Sequence, residues 1–162
     1  MKKALLVLSM CYAIPSFASD VDFSIGGGYP YFVVPEVSWS NNDSQRWYAK
    51  YNLGLDDGFN LGYEQALDDN QHHALGIALG AIGTRDVDTC SEEDDNVGDA
   101  FSCIISGLFD DHSVQGAALS YSYNFSGLNA RSWRIKFEAG YGRVSVVDKN
   151  YASGNVTVSY QF

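Results

Sequence analysis

Three sets of side chains in this sequence could do chemistry. The first is the histidines, His72, His73 and His112, the last of which adjoins a hydroxyl, Ser113. A hydrolytic pair needs its base within hydrogen-bond reach of the nucleophile. Neighbours in a strand point to opposite faces, so His112 and Ser113 are poorly placed to act together. The same argument separates His72 from His73 as metal ligands. The second set is acidic. Nine carboxylates fall between Asp86 and Asp111 with no base among them. Hard divalent cations seek such oxygens, but the glycine and bidentate glutamate of a calcium loop are missing. A solvated acidic surface is the expectation. Neither set supplies a catalytic, cofactor-binding or metal residue, and no cofactor is expected.

The third set is a balanced group of charges spread along the chain. Asp22, Glu36, Glu64 and Glu138 are its acids; Arg46, Lys50, Arg134 and Lys136 are its bases. Each sits on the polar side of a segment that alternates apolar and polar residues. A period of two marks a strand with one apolar and one polar face. The alternation in Trp133, Ile135, Phe137, Ala139 and Tyr141 against Arg134, Lys136, Glu138, Gly140 and Gly142 is the clearest case. Similar patterns place strands at Val21–Tyr29, Phe32–Ser40, Arg46–Leu55, Phe59–Leu67, His73–Ile82, Val114–Phe125, Ser132 to about Val147, and Asn155–Phe162. Turn residues separate them: Asn41 to Ser44, Asp56-Asp57-Gly58, Asp68 to Gln71, and Ser126 to Asn129. Ser153-Gly154 reads as the close of the last hairpin. Pro35 removes a ladder donor inside the second strand, which predicts a bulge or a late strand start there. One long acidic connection, Thr84–Ser113, joins the fifth and sixth strands.

The two ends of the chain give this pattern an address. Lys2 and Lys3, the apolar run from Ala4 and the small-x-small site Ser16-Phe17-Ala18 read as an export leader over residues 1–18. A lipoprotein reading at Cys11 is disfavoured by bulky Met10 before it. Residues 19–162 then form one domain. Losing Lys2 and Lys3 makes the formal balance of −10 two units more negative, which argues against nucleic acid as a partner. Cys90 and Cys103 lie in the acidic connection, and an exported cysteine pair meets an oxidising compartment, so a disulfide between them is expected. The last strand alternates Val156, Val158, Tyr160 and Phe162 against Thr157, Ser159 and Gln161.

With Tyr160-Gln161-Phe162 as an aromatic-x-Phe ending, the chain resembles the small eight-stranded outer-membrane β-barrel proteins of Gram-negative bacteria, the OmpA-like and OmpX-like class. No motif fixes a subfamily. The resemblance implies an all-β, antiparallel up-and-down transmembrane barrel in the outer membrane. It also implies both termini in the periplasm and Tyr160 and Phe162 as an insertion signal. The long connection then falls outside the cell. The aromatic residues gather into two belts, as interfacial rings prefer. A soluble lipocalin-like barrel or sandwich is the rival architecture. The expected partners are outer-membrane lipid and lipopolysaccharide, the barrel-assembly machinery and an extracellular protein or surface, with the barrel itself a monomer.

The expected function is non-enzymatic: a structural or surface-interaction role through the acidic, disulfide-closed loop. Its apolar patch is Phe101, Ile104, Ile105, Leu108 and Phe109. One alternative is a narrow ion channel that uses the inward charges. The other is a lipid A-modifying enzyme, although the deacylase spacing of His and Ser two apart on a lipid-facing strand is absent.

Overall fold

Eight alternating segments can satisfy every backbone donor and acceptor if the sheet closes on itself. The chain adopts this solution in the computed structural model, which describes residues 21–86, 111–144 and 149–162. The strands are β1 Val21–Tyr29, β2 Tyr31–Asn42, β3 Gln45–Gly54, β4 Gly58–Ala66, β5 His73–Asp86, β6 Asp111–Asn124, β7 Trp133–Val144 and β8 Lys149–Gln161. They run antiparallel in sequence order, and β8 closes against β1 with Tyr29 opposite Val156 and Ser24 opposite Gln161. The end of the chain completes the seam. The Gln161 amide donates to Ser132 O at 3.0 Å and the Phe162 amide to Phe23 O at 2.9 Å. The rings of Phe23 and Phe162 stack, and Tyr160 meets Phe162 edge-on.

The faces follow the alternation. Arg46, Tyr48, Lys50 and Asn52 of β3 are buried, while Trp47, Tyr51 and Leu53 between them are exposed. The same split holds in β7, where Arg134, Lys136 and Glu138 point inward and Trp133, Phe137 and Tyr141 outward. The barrel is therefore inverted relative to a water-soluble core: its charges are inside and its large apolar side chains outside.

Several elements differ from the sequence-based expectation. The β5–β6 ladder continues to Asp86 opposite Asp111, so residues 84–86 and 111–113 belong to strands rather than to the connection. Ser153 and Gly154 do not turn the chain. They lie within β8, opposite Gly140 and Ala139, because the last hairpin falls earlier, between β7 and β8 at 144 and 149. Pro35 causes no bulge. It stands opposite Ile25 in β1, and toward β3 the register passes from Val33↔Leu53 to Glu36↔Lys50. The irregularities of β2 flank it, at Tyr31/Val33 and Ser40/Asn42.

A third irregularity has structural consequences. Between Ala81 and Gly83 the β5 register slips by one residue. A bulge re-aims the side chains around it. Ala81, in phase with the exposed Leu75, Ile77 and Leu79, and Ile82 are both fully buried. Ile82 packs with Ala78, Val114, Ala118 and Val144 into an apolar layer inside the barrel, flanked by Tyr151. This layer occupies the end of the barrel remote from the chain termini.

The expected disulfide is corrected. Among the described residues there is no disulfide bond, and Cys90 and Cys103 lie outside them. Two cysteines bond only where the backbone brings their Cα atoms within about 7 Å, and a shared loop does not impose that distance. A role built on a disulfide-closed loop therefore has no basis. The patch Phe101, Ile104, Ile105, Leu108 and Phe109 and the leader 1–18 also lie outside the described residues.

Candidate functional site

The inward faces of β2, β3, β4, β7 and β8 converge on one network of charges. Glu36 is its most connected carboxylate. Its Oε1 accepts from Arg134 Nη1 at 2.9 Å and its Oε2 from Lys136 Nζ at 3.1 Å; Arg46 Nη2 lies 3.6 Å away. Glu64 pairs with its register neighbour Arg46 and, at 3.4 Å, with Lys136. Glu138 accepts from Lys50 Nζ at 2.8 Å, from Asn155 Nδ2 at 2.6 Å and from the Tyr48 hydroxyl at 3.0 Å. Five of the eight expected lumenal charges are thus joined through shared partners, and the Lys50–Glu138 pair meets them at Tyr48, whose hydroxyl holds Glu138 and whose ring faces Lys136. Asp22 lies half-buried near the end of β1 opposite Ser38, with contacts of its own.

Charges stripped of water are tolerable only when paired and hydrogen-bonded. Here neutral groups complete the pairing. Arg134 Nε donates to Asn124 Oδ1 at 2.7 Å, and both Arg46 and Arg134 donate to Gln161 Oε1. Lys136 and Arg46 each bridge two carboxylates. One carboxylate can therefore let go of a cation while that cation keeps another partner.

Tyr48 is the residue whose importance the alternation did not reveal. Its phase with Arg46 and Lys50 puts it on the inward face, but nothing in one strand shows what it meets there. Its ring is fully buried, with Lys136 Nζ 3.5 Å from the centroid and Arg46 Cζ and Lys50 Nζ farther from it, at 5.9 and 6.0 Å. Such a cation–ring contact stabilises a desolvated ammonium. The ring fits because its cross-strand neighbour is Gly62, where an added Cβ would collide with the Tyr48 ring. Gly62→Ala is expected to lower barrel stability by about 1–3 kcal/mol, the usual cost of overpacking, in urea unfolding followed by tryptophan fluorescence. An unchanged midpoint would show that Tyr48 is loosely held.

Toward the end remote from the termini, the lining becomes neutral and polar beside the apolar layer. The β5 bulge turns carbonyls inward. Asn52 and Asn60 donate to Ala81 O at 3.1 and 3.2 Å, and Asn155 donates to Ile82 O at 3.1 Å. Because Asn155 also holds Glu138, polar groups line the lumen in a file whose middle step is the register pair Lys50 and Glu36. It passes from Asn52 and Asn60, through Asn155 and Glu138, to Lys50, Glu36, Arg134 and Gln161. Among the described residues, Tyr31 Oη, Asn52 Oδ1, Asn60 Oδ1, Ser120 Oγ and Gln161 Nε2 are buried along it with no hydrogen-bond partner. Buried polar atoms of that kind are ordinarily satisfied by internal water.

At the other end of the file lies the β6–β7 turn. Leu128 within it is fully buried, and its carbonyl accepts from both Arg46 Nη1 and Arg134 Nη2 at 3.4 Å. The sequence marked this stretch only as a turn.

The other candidate chemistry is dispersed. His72 Nδ1 lies 2.7 Å from Asn124 O, and His73 Nδ1 2.7 Å from the Tyr121 hydroxyl. Both flank the β4–β5 turn, where Asp68 accepts the backbone N–H groups of His73 and His72 at 2.8 and 3.2 Å. Those bonds, the one from His73 foremost, hold the Asp68 carboxyl below its usual range. His112 and Ser113 stand opposite Arg85 and Thr84 in adjacent positions of β6. The Ser113 backbone N–H is bound to Asp56 at 2.6 Å. Among the described residues, no group of three or more histidines, cysteines or carboxylates could hold a metal ion.

No family model matches the chain, and no characterised protein sequence or solved structure resembles it significantly.

Proposed function

We propose that this protein is an integral outer-membrane barrel that provides a narrow ion path, closed at rest and controlled by its lumenal charges. The carrying observation is the sharing of partners in the network. Glu36 has three cations within 3.6 Å, and Lys136 and Arg46 each serve two carboxylates. A static plug needs only one partner per charge. A network with alternatives can exchange pairs at small cost, and each 1.4 kcal/mol saved is tenfold in a population. The polar file through Asn52, Asn60 and Asn155 supplies the rest of the route.

The membrane setting is supported by the inverted faces. Ile77, Leu79, Leu119 and Tyr141 are each more than half exposed, an outer surface suited to lipid. Termini on the periplasmic side, an export leader at 1–18 and the insertion signal Tyr160 and Phe162 belong to the same reading. So do lipid and lipopolysaccharide as neighbours, assembly by the barrel machinery, and a monomeric state. The role is read as non-enzymatic: His72 and His73 are engaged by Asn124 O and the Tyr121 hydroxyl, and His112 adjoins Ser113 along one strand, where successive side chains point to opposite faces.

The test is planar-bilayer recording on protein whose fold is confirmed by a heat-dependent shift in gel mobility. Small, infrequent steps are expected, with open probability rising at least tenfold in Lys136→Met, which removes the cation shared by Glu36 and Glu64. A folded barrel that gives no steps in either form would overturn the proposal.

A further inference from the structure

We infer that the β6–β7 turn is a hinged lid over the lumen at the end where the chain termini lie, and that it gates the path. This inference rests on the ion-path reading for its function and on the turn's own geometry for its form. In an eight-stranded barrel the β2–β3 and β6–β7 turns stand four strands apart, on opposite sides of the mouth. Asn129 Nδ2 nonetheless donates to Asn42 O at 3.3 Å and to Asp43 O at 3.0 Å in the β2–β3 turn. The β6–β7 turn therefore reaches across the opening. Beneath it, Leu128 is fully buried, in a lumen otherwise lined at this level by Arg46, Arg134 and Gln161.

The lid is lightly fastened. Its bonds to Asn42 and Asp43 are solvent-exposed, and the arginine bonds to Leu128 O are both long at 3.4 Å. By contrast, Glu138 holds Lys50, and Glu36 holds Arg134 and Lys136, at 2.8 to 3.1 Å. Gly127, at φ +111°, gives the turn a hinge position that side-chain-bearing residues rarely adopt. Arg46 and Arg134 hold the lid and the carboxylates with the same guanidinium groups, so a rearrangement of the ion pairs would loosen Leu128 directly. Ions that reach Gln161 from the charge network would meet Leu128 next.

The experiment uses the full chain with Cys90 and Cys103 changed to serine. A cysteine replaces buried Ser122, and its modification by a charged thiol reagent is timed in reconstituted vesicles, beside bilayer recording. Leu128→Gly and the milder, exposed change Asn129→Ala are compared with the parent, each verified as folded by heat-dependent mobility. Expected are modification at least tenfold faster and openings at least tenfold more frequent in Leu128→Gly, with a smaller rise in both for Asn129→Ala. A staple made by Asp43→Cys with Asn129→Cys, in the background without Ser122→Cys, should silence the steps until reductant is added. Unchanged modification and unchanged steps would overturn the lid. Faster modification with unaltered steps would also overturn it as a gate. Faster modification with no steps in any variant would uphold the lid as a cover and sink the ion-path reading instead.

Discussion

Glu36→Gln is expected to destabilise the barrel by about 3–5 kcal/mol, the range for removing one partner of a buried ion pair. The partners left behind are not equal. Arg46 and Lys136 retain Glu64. Arg134 retains only the neutral oxygens of Asn124, Gln161 and Leu128. The cost therefore falls mainly on Arg134, a guanidinium left in the lumen without a carboxylate. That asymmetry makes a specific second claim. Adding Arg134→Met to Glu36→Gln should recover more than half of the loss, whereas adding Lys136→Met should recover little. Urea unfolding in lipid vesicles, read by tryptophan fluorescence and by the heat-shifted band, measures all four proteins. A loss below about 1 kcal/mol for Glu36→Gln would place these charges in the screened regime of surface pairs. The lumen would then be water-filled throughout, and the charges would control nothing by their pairing.

What the sequence revealed and what it hid have a common physical cause. A period of two is a property of a single strand, so the inward position of Glu36, Arg46, Lys50, Glu64, Arg134, Lys136 and Glu138 was legible without any structure. Pairing is a property of register between strands. Tyr48 could be placed inward, but not beneath Lys136 and over Gly62, because those residues lie on β7 and β4. A bulge is one residue of slip, and the Ala81–Gly83 slip leaves the composition of β5 looking regular while it turns Ala81 and Ile82 inward. The Ser153-Gly154 pair looked like a turn because small flexible residues favour turns. In β8 they serve close approach instead, since an added Cβ at Gly154 would press on Glu138 O. Turns carry no periodicity at all. Leu128 in the β6–β7 turn therefore gave no sign that it closes the mouth, although a large apolar residue among Ser126, Gly127 and Asn129 was the one anomaly available. The disulfide was argued from a shared location along the chain, and that alone does not impose the Cα separation a disulfide needs.

Leu119→Arg carries the largest consequence for the membrane reading. Leu119 is 70% exposed on β6. It lies four residues from Tyr123 of the aromatic rim, which at about 3.3 Å per residue puts it roughly 13 Å along the strand. Leu119 is thus near the middle of the outer band. On a soluble barrel, arginine at so exposed a site should change stability by no more than about 0.5 kcal/mol and should raise solubility. On a barrel in lipid, it should cost about 2–4 kcal/mol. The control is Tyr29→Arg, at the last position of β1 and so at the end of the band remote from the termini, where the cost should fall to about 0–1 kcal/mol. A graded loss, large at Leu119 and small at Tyr29, is hard to obtain from side-chain contacts, because both residues project away from the barrel. It is the signature of depth in a slab of hydrocarbon. If both substitutions prove neutral in vesicles and the protein stays dispersed without detergent, the outer face meets water. The inverted arrangement of charges and apolar side chains would then need a partner surface in place of a bilayer.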